Sequence, residues 1–250
     1  MTLLNTNILL FLACIALVTG FIKAGMPSLG ALLSAMVALV FPPRDALGIT
    51  LVFLLIGDTV AVWLYWRLAH WPELKKMFVP VVIGIGAGAF VLNNLDNARL
   101  GLVIGVMVLL LVMMEPIRPQ LTKLALAHPR SARNTTGALA GLATTIGNAA
   151  GPFLSIYFLV LNLDKRAFIG TGSIFFMFVN LSKLPVFYSQ DIFQAQYLGS
   201  IVLTAPLVYV GALAGKQFLE WISQLWFNRV VLFFTALAGV WLIVSYLRTT

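Results

Sequence analysis

Long apolar runs separated by very short turns leave this chain few ways to fold. Runs at 4–22, 28–41, 47–68, 77–92, 98–114, 135–161, 167–188, 196–215 and 229–247 follow one another with little polar surface between them. A water-soluble domain of this size needs a charged shell, and such domains are commonly about a quarter charged. Here 10% of the residues are charged and 61% apolar, with a mean hydropathy of +1.00. At about 20 residues per crossing, that apolar content lines about seven or eight spans. The expected class is therefore an all-α, polytopic membrane protein. The first run lacks a positively charged lead, so it is read as the first span and not as a secretory signal. Cys14 is the single cysteine, which excludes a disulfide scaffold. The net charge of +8 resides mostly in short loops, where it sets orientation; no nucleic-acid partner is expected.

The one long polar connection, 115–133, carries Pro116, Pro119, Pro129 and four basic residues and divides the chain nearly in half. A first transmembrane repeat over 1–114 and a second over 134–250 are expected on either side of it. Sliding one half by 121 positions aligns Gly20 with Gly141, Gly30 with Gly151, Arg44 with Lys165, Ala46 with Ala167 and Thr50 with Thr171. Both halves also share an order: a long Gly/Pro-interrupted run, a short basic turn, then three ordinary spans. Paired interrupted segments at matching places in two halves point to a transporter built from repeats.

Loop charge discriminates between ways of threading the interrupted runs. If 4–41 and 135–161 each form a hairpin, the loops 67–76, 115–133, 162–166 and 216–229 share one side and hold eleven Lys and Arg, against three (Arg44, Arg99, Arg248) on the other. Threading both as single crossings gives eight against six. Positive charge accumulates on the cytoplasmic side, so hairpins are expected. Each repeat is then one discontinuous hairpin plus three helices, and the second repeat is inverted relative to the first. The protein is expected in the inner (plasma) membrane with both termini outward.

The breaks themselves read GFIKAGMPSLG (20–30) and GLATTIGNAAGPFLS (141–155). Glycine lets the backbone turn sharply, and Pro fits the first helical turn, where its missing N–H has no partner anyway. Pro27 and Pro152 are thus expected to open half-helices within the membrane. A helix N-terminus offers unpaired N–H groups and partial positive charge, which suit an anion. The competing explanation is an ordinary Gly/Pro kink that eases helix packing. Polar side chains gather at the same breaks: Lys23 and Ser28 in the first; Thr144, Thr145, Asn148 and Ser155 in the second. Lys23 either serves a buried function or snorkels to the headgroups.

Asp58 is the other charge well inside a run. It is a proton-coupling candidate, an ion-pair partner for Lys23 or Lys183, or a neutral hydrogen-bonded core residue. Asn180 falls opposite Thr59 in the repeat alignment and is expected to face the same cavity. Lys183 lies nearer the outward end of its run, where snorkelling is expected.

Enzymatic signatures are missing. His70, His128 and Cys14 are scattered, so no metal site or other cofactor is expected. There is no G-x-S-x-G, H-E-x-x-H or nucleotide-binding Gly loop. NNLDN at 93–97 holds one acid and fits a turn between spans. Trp63, Trp66 and Trp71, with Trp221, Trp226 and Phe227, read as interfacial belts.

The run GLATTIGNAAGPFLSIYFLVLNLDKRAFIGTGSIFFMFVNLSKLPVF, from Gly141, resembles the second-half signature of the TauE/SafE sulfite exporter family, and GFIKAGMPSLGALLS looks like a reduced form of the first-half one. By position, the resemblance points to Gly25, Pro27, Gly147, Asn148, Gly151 and Pro152. The sequence departs from the fuller glycine clusters at Ala24, Ala149 and Ala150. The resemblance implies movement of small sulfur-containing anions such as sulfite or sulfonates, or of carboxylates. The expectation is a transporter working by alternating access, with a small anionic substrate between Lys23–Ser28 and Thr144–Pro152 and with protons as a candidate coupling ion. The alternatives are an anion channel, a membrane enzyme acting on a lipid or isoprenoid, and an assembly subunit without transport.

Overall fold

A computed structural model of the protein describes residues 6–25, 30–163, 165–221 and 224–249. Among these residues there are eleven α-helices and no strand. In chain order they are α1 Thr6–Gly25, α2 Gly30–Ala38, α3 Pro43–Tyr65, α4 Trp71–Asn93, α5 Asn97–Met114, α6 Arg118–Ala127, α7 Pro129–Gly147, α8 Gly151–Val160, α9 Lys165–Ser189, α10 Ala195–Trp221 and α11 Gln224–Thr249. Among the described residues, α1, α3, α4, α5 and α10 supply segments both long and apolar enough to cross a membrane. With α9 and α11 at 25 and 26 residues, the chain is a multi-pass membrane protein.

Helices α2 and α8 are different in kind. At 9 and 10 residues and 1.5 Å per residue, each is about 14–15 Å long, half the thickness of a hydrocarbon core. Each follows an interruption and turns the chain back. Phe41, just past α2, packs its ring 6.1 Å from that of Phe11 near the start of α1. Tyr157 on α8 donates to Glu73 Oε2 at 2.6 Å at the start of α4, the helix that runs alongside α7. Gly30 and Gly151, matched by the 121-residue offset, open the two half-helices.

The polar connection 115–133 is itself helical. Pro119 and Pro129 sit in the first turns of α6 and α7, where a proline costs no hydrogen bond. Thus α7 begins six residues before the apolar run that announces it. At the other end of the spans, Arg44 holds a turn together: its guanidinium donates to Leu92 O (2.9 Å) and Leu95 O (2.8 Å), and its backbone N–H donates to Asn97 Oδ1 (3.2 Å). Asp96 caps α5 by accepting from Arg99 N at 2.7 Å, so 93–97 is a capped turn between spans. Trp63, Trp66 and Trp71 are exposed near helix ends; the side chains of Trp221, Trp226 and Phe227 lie outside the described ones.

Four helix pairs dominate the packing: α1 with α10, α4 with α7, α5 with α11, and α3 with α9. Small residues decide the first two, because without water to expel, helices in lipid gain by close backbone approach. A Cβ on Gly20 would lie 1.8 Å from Val208 O, and one on Gly211 2.1 Å from Leu17 O. On the other pair, a Cβ on Gly141 would lie 2.2 Å from Val81 O, and one on Gly84 2.0 Å from Ala138 O. Further along the contacts Gly215 lies on Phe21 where Gly211 lies on Leu17, and Thr145 lies on Gly88 where Gly137 lies on Pro80, so residue numbers rise together and the helices of each pair run parallel. Gly105 and Gly239 approach each other's carbonyls in the α5–α11 pair.

Because no side chain fits at these crossings, Gly20→Ala and Gly141→Ala are each expected to cost about 1–3 kcal/mol of overpacking. Gly86→Ala and Gly199→Ala, where an added methyl meets nothing within 4 Å, are the controls. Thermal unfolding in detergent should show lower midpoints for the first two alone.

Candidate functional site

The last turn of α1 carries Lys23, buried with 3% of its surface exposed. Its stem passes Gly57 of α3, where a Cβ would come within 2.9 Å of Lys23 Cγ. That missing side chain lets the ammonium reach Asp58, one residue further along α3, and the two form a buried ion pair. The second carboxylate oxygen, Oδ2, accepts from Asn180 Nδ2 of α9 at 2.6 Å. The ring of Phe176, also on α9, lies with its centroid 4.8 Å from Lys23 Nζ. Three elements thus close around one carboxylate. Asp58 is an ion-pair partner, and Lys23 does not snorkel.

The second break is shaped by Asn148. It takes a left-handed conformation, φ 55° and ψ 34°, and ends α7 by donating its N–H to Thr144 O at 2.9 Å. Asn adopts this region far more readily than most residues, and Ala149 N–H adds a bond back to Ala143 O at 3.3 Å, so the left-handed residue closes the last turn as helix stops commonly do. The turn aims the side chain inward. Asn148 Nδ2 donates to Ser34 Oγ of α2 at 2.8 Å, and Asn148 Oδ1 accepts from Lys183 Nζ of α9. Lys183 Nζ also donates to Thr144 Oγ1 (3.1 Å) and Thr144 O (3.2 Å). At the head of α2, Gly30 lies against the second break so closely that a Cβ would sit 2.4 Å from Asn148 O. The interrupted segments therefore touch, and α9 links them through Asn180 on one side and Lys183 on the other.

Other expected residues fall around this centre in different ways. Gly25 ends α1, Gly151 opens α8 and Pro152 occupies its first turn; Pro27 and Ser28 lie outside the described residues. Thr145 turns its hydroxyl to Gly141 O at 2.9 Å and packs on Gly88 of α4. Ser155 likewise bonds its own helix, at Gly151 O (2.9 Å). Gly147 faces Met107 and Ile104 of α5. Thr144 and Asn148 are the second-break side chains that meet Lys183.

Lys183 requires a correction. Expected to snorkel outward, it has no exposed surface and is bonded to the second break. Position along α9 misleads because α3 and α4 pack on that helix and the end of α7 meets Lys183 itself. The available signal was spacing: Asn180 and Lys183 are three apart and so share a helix face. Ser34, a lone hydroxyl in an apolar half-helix, was not singled out at all.

Comparison with known proteins bears on the family of the chain. The family model described as Sulfite exporter TauE/SafE matches residues 12–242. No curated protein and no solved structure matches the chain.

Removing one member of a buried ion pair leaves an uncompensated charge and costs about 3–5 kcal/mol. Lys23→Met is expected to destabilise by that order, and adding Asp58→Asn should recover much of the loss. Thermal midpoints of the single and double variants test the coupling; additive losses would contradict it. Asn148→Ala should melt lower than Asn148→Gly by about 1–2 kcal/mol, because glycine tolerates the left-handed backbone and alanine does not.

Proposed function

As the chain belongs to the Sulfite exporter TauE/SafE family, we propose that it carries small sulfur-containing or organic anions across the bacterial inner membrane by alternating access. The substrate sits where the two breaks meet, and the chain itself catalyses no chemical transformation. The observation that carries this proposal is the placement of two buried lysines, Lys23 and Lys183, at touching helix breaks whose half-helices begin at Gly30 and Gly151. Ammonium groups and unpaired helix N-terminal N–H groups are the donors an oxyanion needs in place of its hydration shell. Lys23, Asp58 and Lys183 are shielded from both surfaces, which fits an occluded state between inward- and outward-facing forms.

We further propose that 1–114 and 134–250 are inverted repeats. Swapping α1–α5 for α7–α11 converts the α1–α10 pair into α7–α4 and maps α3–α9 and α5–α11 onto themselves, which agrees with the observed pairings. The folding back of both interrupted segments supports the hairpin threading, with the basic loops cytoplasmic and both termini outward. Rocking of the α1–α10 pair against the α4–α7 pair would then expose the centre to either side in turn. Asp58 is the proposed coupling group: protonating it would release Lys23 to the substrate.

Purified protein in liposomes loaded with radiolabelled sulfite or methanesulfonate tests the proposal. Saturable flux stimulated by anion on the opposite side is expected, and Lys23→Ala should weaken it. Unsaturable conductance would indicate a channel; no flux with any small anion would return the enzyme and assembly-subunit alternatives. Asp58→Asn should flatten the dependence of flux on a pH gradient; an unchanged dependence removes Asp58 as the coupling group.

A further inference from the structure

Among the described residues, the buried ionisable side chains deep in the fold are Lys23, Asp58 and Lys183. Lys23 and Asp58 neutralise each other. Lys183 faces a different environment: Thr144 O, Thr144 Oγ1 and Asn148 Oδ1, all neutral oxygens. Three acceptors match the three N–H bonds of an ammonium, and no carboxylate lies within ion-pair distance of it among the described residues. With Lys183 held as an ammonium by these three acceptors, the centre has two cations and one anion, an excess of one positive charge among buried side chains. An unbalanced buried charge is expensive, and a counter-charge in contact relieves it.

Resting on the transport function proposed above, we propose that the centre is built for one negative charge: it accepts a monovalent oxyanion, and Lys183 is the residue that sets this limit. A monoanion brings the occluded centre to neutrality, whereas a dianion overshoots to a net negative charge. The empty centre keeps its excess positive charge, so returning empty between faces is disfavoured and the carrier works mainly by exchange. Exchange of one monoanion for another moves no net charge. Asn148 offers an almost isosteric control of the same quantity. An aspartate there supports the left-handed backbone as asparagine does, and it places a permanent carboxylate against Lys183.

The experiment uses the full chain in liposomes with labelled methanesulfonate, a monoanion, and labelled sulfate, a dianion, at equal pH and ionic strength. Methanesulfonate counterflow is expected to exceed that of sulfate by about tenfold or more, the equivalent of about 1.4 kcal/mol. It should also be indifferent to a potassium diffusion potential clamped with valinomycin. Asn148→Asp should lose most of the methanesulfonate flux without lowering the thermal midpoint, and Lys183→Gln, which removes the charge a monoanion balances, should lose most of the methanesulfonate flux without gaining any for sulfate. Should Lys183→Gln fail to fold, the wild-type anion ratio and Asn148→Asp still decide. Sulfate carried as well as methanesulfonate, or Asn148→Asp as active as wild type, would overturn the one-charge limit and leave the carrier standing. Absence of flux for both anions and for sulfite would overturn the limit and the transport function together.

Discussion

A carboxylate and an ammonium buried against each other in the membrane interior are the constraint from which the rest of this structure follows. Neither Lys23 nor Asp58 can remain charged in lipid alone, so the end of α1 and the middle of α3 are obliged to meet. Asn180 on α9 completes the hydrogen bonding of the acid, which ties the second half of the chain to the pair. Once α9 is fixed in this way, Lys183, one turn further on, is delivered to Thr144 and Asn148. The two interrupted segments, more than a hundred residues apart in sequence, are joined through this chain of polar contacts and not through apolar packing alone.

Backbone contacts explain why the breaks are held so firmly in register. The interrupted helices α1 and α7 each lie on a partner helix with glycine at the crossing, so carbonyls of one helix fill the space a side chain would occupy. Such contacts tolerate little sliding, because interiors are packed to near-crystalline density. The full-length helices therefore serve as a rigid frame, while α2 and α8, each half a membrane long, bring their N-termini to the centre. The non-helical backbone at 148–150 is buried by protein, as such backbone in a membrane protein must be: Gly30 leans on Asn148, and Asn148 reaches Ser34.

Much of this was legible in the sequence, for identifiable reasons. Helix-length apolar runs mark spans directly, so most helices fall where hydropathy places them. The breaks were marked by clustered Gly and Pro, although two of those glycines, Gly20 and Gly141, serve helix packing instead. The offset that matched Gly20 with Gly141 and Gly30 with Gly151 selected residues that prove to be close-contact positions or half-helix starts. The offset also set Asn180 opposite Thr59, whereas its actual partner is the neighbouring Asp58. What could not be read was which polar side chains face the centre. Thr144 and Thr145 are adjacent, so they point to different helix faces, and only packing against α4 decides that Thr145 is the one turned away. The burial of Lys183 depends on α3, α4 and the end of α7 packing on α9, a tertiary fact with no local trace. The helix α6 was hidden for the opposite reason: it is too polar to stand out in an apolar chain, though its proline-led start was there to see.

The most direct test is an experimental density map of the protein with bromomethanesulfonate, whose bromine marks its own position. The sulfonate is expected between the heads of α2 and α8, against the ammonium of Lys183 and beside Asn148. A bromine peak elsewhere, or a map in which the two breaks stand apart with Lys23 and Lys183 facing lipid or headgroups, would contradict it.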